Sequence, residues 1–170
     1  MRSRRTVLLG LFVAAASILH VIEASIPLPL PIPGVKLGLA NIVSLFTLIV
    51  YGWRDALLVT TVRVFIGSLF SGTMFGPSFI MSLSGGVFCV LIMAVVYHKW
   101  SNIYSYIGIS ISGAVAHNIA QLISASFFID SIGIFWYLPY LLILSVPTGM
   151  AVGMTTCFLK HKLEDNLKYS

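Results

Sequence analysis

The stretch PGVKLGLANIVSLFTLIVYG, residues 33–52, begins with a lysine and an asparagine and then runs on as an apolar segment. Lys36 falls in what reads as the first turn of a helix, where the positive end of the macrodipole disfavours a cation by about 0.3–1 kcal/mol. Whether the run is a protein core or a membrane span depends on the solvent it meets. Of the 170 residues, 58% are hydrophobic and 9% charged, and the mean hydropathy is +1.00. So little polar surface cannot cover a water-soluble globule. The run is read as a membrane span, and the chain as a single integral membrane domain.

Six spans are expected, at 6–24, 37–52, 55–70, 78–98, 103–127 and 135–159, giving an all-α, compact six-helix bundle. The second and third hold about 16 residues each, roughly 24 Å of helix against a hydrocarbon core of roughly 30 Å. They read as a tight hairpin turning at Gly52-Trp-Arg-Asp55. An even count of spans places both termini on one side, together with Arg2, Arg4, Arg5, Arg54, Lys99, Lys160, Lys162 and Lys168. The opposite loops carry only Lys36. By the positive-inside rule the shared side is the cytoplasm. The net charge of +5 is therefore a topology signal, and its spread over loops argues against nucleic acid as a partner.

Between the first two spans, SIPLPLPIPG at 25–34 has a proline at every second position near its end, which favours polyproline II over helix or sheet. It reads as a stiff connector or as a lid. RSRR before an apolar run also fits a cleaved leader, but His20 and Glu23 interrupt the cleavage region. Small residues four apart, Gly10 with Ala14, Ser82 with Gly86 and Gly149 with Gly153, let helices approach closely in lipid. Gly10 and Ala14 could instead dock a partner subunit. Cys89 and Cys157 show no CxxC spacing and read as packing residues.

The polar residues inside spans carry the functional question. Arg63 costs about 2.5–3.5 kcal/mol at a span centre, so it needs a partner or water. Asp55, Glu23 and a ligand are all open to it. Counted from Trp53, Asn41 and Arg63 lie 12 and 10 residues away, so their depths differ by about 3 Å and they can meet. In SGAVAHNIAQL, His117 and Gln121 share a helix face with Asn118 beside them. Lys36, with helix N–H groups, could bind an acidic group arriving from outside or reach out to lipid phosphates. Phe75, Phe79, Trp136, Tyr137 and Tyr140 read as an interfacial belt or a stacking surface. His20, Glu23 and His117 could be assembled into a metal site, but HxxxH and HExxH spacings are missing.

In order along the chain, PGVKLGLAN, the Arg63 span followed by SGTMF, SFIMSLSGG, GAVAHNIAQL and WYLPYLL resemble the bacterial Gx transporter family. Its members are often labelled heptaprenyl diphosphate synthase component I. The similarity runs from about Pro33 to Gly153. That family is similar to the substrate-binding S components of energy-coupling factor transporters, which capture vitamin-like molecules from outside. The resemblance implies a bacterial cell-membrane protein working with a transmembrane coupling subunit and two ATPase subunits. It also implies ligand capture or its support by Lys36, Asn41, Arg63, His117, Asn118 and Gln121. It leaves the substrate open, a flavin- or isoprenoid-related compound being the suggestion. A prenyl-transferase would need paired acidic motifs such as DDxxD to hold Mg²⁺ on a diphosphate. The only adjacent acidic pair here is Glu164-Asp165, in the tail. No enzyme activity and no cofactor are expected of the chain, and an accessory membrane subunit of a quinone or isoprenoid pathway enzyme is the alternative reading. A GxxxxGK[ST] loop is lacking, so ATP-driven transport would need a partner's motor.

Overall fold

The computed structural model describes residues 2–26 and 38–168. Among them the chain forms α1 (Arg2–Ser25), α2 (Leu39–Tyr51), α3 (Trp53–Phe70), α4 (Pro77–Trp100), α5 (Tyr106–Ile129), a 3-10 turn (Ile132–Tyr137) and α6 (Leu138–Lys168). The six expected spans are six helices. Most boundaries move by only a few residues, but α6 continues nine residues past Leu159. Pairs one turn apart, Lys160–Glu164 at 3.4 Å and His161–Asp165 at 3.5 Å, support that extension. Of the expected connector or lid at 25–34, Ser25 is the last residue of α1 and residues 27–34 lie outside the described residues, as does Lys36.

The breaks follow from local chemistry. Gly52 adopts φ 93°, a region that side chains rarely enter. Its N–H donates to the Leu48 carbonyl and its own carbonyl accepts from Ala56 N–H, both at 3.1 Å. One glycine thus closes α2 and opens α3. Pro77 starts α4 at a position where its missing N–H costs nothing, and Ser105 caps α5 by accepting from the Gly108 N–H at 3.4 Å.

Four helical stretches, within α1, α4 and α5 and over Ile132–Asp165, are long and apolar enough to cross a membrane. α3 carries Arg54, Asp55 and Arg63 within its 18 residues. The 13 residues of α2 reach about 20 Å, roughly two thirds of a hydrocarbon core. Its N-terminus therefore lies inside the membrane when its other end is at the surface.

The first turn of α1, the α2–α3 turn, the α4–α5 connection and the last turns of α6 share one end of the bundle. Arg5 Nε donates to Asp55 Oδ2 at 3.0 Å, Lys160 Nζ donates to the Tyr106 hydroxyl, and Leu8, Tyr51 and Leu163 line one groove. Every described lysine and arginine other than Arg63 is at this basic end. Leu45, Leu48, Ala56, Cys89, Val90, Met93 and Ile109 form the core between α2, α3, α4 and α5. Cys89 is a packing residue as expected. Cys157 is exposed on α6 and faces a cleft beside Tyr104.

α5 and α6 approach to backbone contact. A Cβ on Gly149 would fall 2.6 Å from Ile111 Cα, and one on Gly153 would fall 2.6 Å from Ile107 Cα. Neither backbone can yield without separating the helices. Gly10, by contrast, is exposed with nothing within 4 Å of such a Cβ. Gly153→Val is expected to lose about 1–3 kcal/mol through overpacking, while Gly10→Leu changes stability by less than about 0.5 kcal/mol. Thermal unfolding of the detergent-solubilised protein checks this, and equal losses would contradict the packing described.

Candidate functional site

Asn41 and Arg63 are each eleven residues from Gly52, and Ser44 and Thr60 are each eight away. An antiparallel hairpin turning on Gly52 must bring such pairs level. Arg63 donates from a terminal guanidinium nitrogen to Asn41 Oδ1 at 2.7 Å, and the Ser44 and Thr60 hydroxyls share a hydrogen bond of 2.7 Å. All four residues are buried. Two polar rungs therefore join α2 to α3 inside the bundle. The guanidinium can only donate, so it also orients the Asn41 amide. Nδ2 is turned toward Gly38, 3.3 Å from where a Cβ on that glycine would be.

Of the partners open to Arg63, the structure selects Asn41, with the charge of Glu23 acting on it through space. Asp55 is held by Arg5 at the basic end. Glu23, buried near the end of α1, accepts a hydrogen bond from the Gly38 N–H. Gly38 has φ 81°, a left-handed cap suited to glycine, and its carbonyl accepts from Asn41 N–H at 2.8 Å. A helix N-terminus inside the membrane has N–H groups without intrahelical partners and a positive dipole end. Glu23 answers both, so the anion that this N-terminus attracts comes from the protein itself.

The fifth helix reaches the same region through glycine. A Cβ on Gly85 would fall 2.9 Å from Gln121 Cγ and 2.9 Å from His117 Cε1. One on Gly86 would fall 2.8 Å from Thr60 Cγ2 and 3.8 Å from the Arg63 guanidinium. The Gly85-Gly86 pair thus lets α4 pass between Arg63 and the His117–Gln121 face. Asn118 is turned the other way: Nδ2 donates to Leu141 carbonyl at 3.1 Å and to Ser145 Oγ at 2.9 Å. Its amide donors clip α5 to α6, so a ligand could meet only its amide oxygen.

Asn41, His117 and Asn118 line one narrow cavity with Gly38, Ser110 and Thr148. Its volume is about 20 Å³, room for about one water, against about 300–1,000 Å³ for ligand pockets in general. Gln121 and Arg63 are not in this lining; both are buried behind it. Among the described residues, His20, Glu23 and His117 do not form a metal-ligand group; His20 instead packs its ring on Gly67. Phe79 sits edge-on to Phe65 and Phe75, with ring centroids 5.0 and 5.8 Å away. The sequence reading missed the cap made by Glu23, the Ser44–Thr60 rung and the part played by Gly85, although it had Gly86, with Ser82, as a position of close approach. The rung could have been found by stepping one turn from Asn41 and Arg63.

A helical bundle with four long apolar helices, a polar seam and a small polar cavity is a multi-pass membrane protein. The chain belongs to the family described as heptaprenyl diphosphate synthase component I, whose family model matches residues 12–159. No curated protein and no solved structure matches it. The family's name, that of a component, implies a partner subunit. The match takes in most of α1 as well as the motifs from Pro33 onward.

Asn41→Leu removes the acceptor from a buried guanidinium and is expected to cost about 1–3 kcal/mol. Arg63→Met in the same background should recover part of that loss, because no buried charge is then left without its partner. A double-mutant cycle on thermal unfolding in detergent measures the coupling, and strictly additive losses would show that the two side chains act separately.

Proposed function

We propose that this chain is a substrate-binding subunit, like the S component of an energy-coupling factor transporter, and that it takes a small polar molecule from the side opposite the basic end. In this reading the basic end faces the bacterial cytoplasm. The observation that carries it is the convergence of Asn41, His117 and Asn118, from α2 and α5, on a single cavity. Intramembrane polar side chains are costly and tend to mark substrate paths. Asn41 offers an amide N–H and Asn118 an amide oxygen, while Arg63, Gln121 and Gly85 hold the lining in place. Glu23 already occupies the α2 N-terminus, so contact with an acidic, vitamin- or flavin-like group falls to Lys36. The cavity has to widen on binding.

Gly10 and Ala14 support the partner half of the proposal. Both are exposed on α1, and Gly10 leaves its side of the helix open for close approach by another helix. The coupling subunit would dock there, and two ATPase subunits would supply the motor.

The family name favours a second reading, an accessory membrane subunit beside a prenyl-transferring partner. Native mass spectrometry of the protein extracted from its own membrane separates the two. The transporter reading expects a retained small molecule, with coupling and ATPase subunits attached. A prenyl-transferase partner with no retained molecule would overturn it. With the molecule identified, Asn41→Leu and His117→Ala should each weaken binding about tenfold, the loss of roughly 1.4 kcal/mol. Gly10→Leu should instead leave ligand affinity unchanged and release the coupling subunit.

A further inference from the structure

A second cavity lies outside the polar seam, between α1, α2 and α6 in the half of the bundle nearer the basic end. It is a groove of about 500 Å³ lined by Leu8, Phe12, Val43, Phe46, Leu159 and Lys162 among others. Its floor is aromatic: the Phe12 ring packs edge-on against Phe46 and Tyr51, with centroids 5.6 and 5.9 Å away. From Leu8 to Ala15 the groove follows α1 for about 10 Å and then ends. A partner helix would need a face that continues along the bundle, whereas an open apolar groove of this length suits part of a hydrocarbon chain.

The charges stand at one mouth only. Lys162 is in the lining. Arg4 is one turn before Leu8 on the same face of α1, and long side chains on a helix lean toward its N-terminus, here the basic end. The neighbouring charges are already engaged. Asp55 holds Arg5, Glu164 pairs with Lys160, and the Asp165 carboxylate lies 3.5 Å from the His161 ring. Among the described residues neither Arg4 nor Lys162 has a carboxylate partner. Lys162 makes a cation–π contact with Phe158 at 6.0 Å from the ring centroid, which leaves its ammonium free to meet an anion.

We infer that this groove binds an anionic phospholipid from the leaflet at the basic end, with one acyl chain lying against Phe12 and Phe46 and its phosphate between Arg4 and Lys162. The apolar wall selects for a chain, and the two cations select for the head. This site is separate from the Asn41–His117 cavity and does not rest on the transport reading.

The test uses the full-length protein in nanodiscs of phosphatidylglycerol and phosphatidylcholine with identical chains, read by native mass spectrometry after release into the gas phase. Phosphatidylglycerol should be enriched over phosphatidylcholine among retained lipids. That enrichment should fall about fivefold with Lys162→Gln and a further fivefold or so with Arg4→Gln, the effect of one cation each. Ala15→Trp, at an exposed position in the lining, fills the slot and should reduce retention of both lipids. Equal retention of the two lipids by the unaltered protein would overturn the inference. So would full retention in Ala15→Trp, since the head alone would then be bound. Displacement of phosphatidylglycerol by stoichiometric farnesyl diphosphate would also overturn it, giving the groove to a prenyl diphosphate. The exposed positions of Arg4, Ala15 and Lys162 keep these variants folded, and unchanged thermal midpoints in detergent verify that.

Discussion

The hydrogen bond from Arg63 to Asn41 is the constraint around which the bundle is arranged. A guanidinium near the middle of an apolar helix is costly, and that cost falls only if a neighbouring helix brings an acceptor to the same depth. The hairpin on Gly52 does this by symmetry, because it puts residues at equal distances from the turn side by side. The Ser44–Thr60 rung then follows at no further topological cost. Once Asn41 is fixed, so is the start of α2, and with it the place where Glu23 must come from α1 to accept from the Gly38 N–H. Three helices are thereby ordered by the needs of two polar groups, the Arg63 guanidinium and the N-terminus of α2.

Around that seam the bundle closes by small residues rather than by volume. Gly67 receives the His20 ring, Gly86 receives Thr60, Gly85 receives His117 and Gln121, and Gly113 receives Met93. In lipid the helices gain little from hiding apolar surface from one another, so close van der Waals contact and interhelical hydrogen bonds must hold them. Glycine supplies the first, and the serine, threonine and asparagine side chains supply the second. The clip from Asn118 to Leu141 and Ser145 has the same character, joining α5 to α6 beside their glycine contact.

Much of this was legible in the sequence. Hydropathy fixed the six helices, and depth counting from the hairpin turn anticipated that Asn41 meets Arg63. The spacing of Gly149 and Gly153 foretold a close approach without naming the partner helix. Other features were hidden because they depend on rotation about helix axes. Nothing in SGAVAHNIAQL shows that Asn118 turns toward α6 while His117 and Gln121 turn toward α4. Nor does the sequence reveal that Glu23 would serve the α2 N-terminus, since 15 residues separate it from Gly38. The expected α2 began at Leu37 and the observed one begins at Leu39, because Gly38 adopts a left-handed backbone that ends the helix there.

The walls of the small cavity are not equally held. Separating α5 from α6 would undo the backbone contacts at Gly149 and Gly153 together with both Asn118 hydrogen bonds. Separating α4 from α5 would lift Gly85 from two side chains, Gly113 from Met93, and the Ser84 hydroxyl from that of Ser124, 2.7 Å away. The start of α2 is different. Beyond the Arg63 rung its first turn is secured to α1 by the bond between Gly38 and Glu23, while its later turns are packed into the core through Leu45 and Leu48. Shifting that first turn parts no glycine contact between helices, so it is the wall that can move without opening a helix–helix seam, with the Gly38–Glu23 and Arg63–Asn41 hydrogen bonds resisting the movement. Because Asn41 is on that same wall, any enlargement there also moves the side chain that Arg63 holds, which ties the size of the cavity to the state of the buried charge.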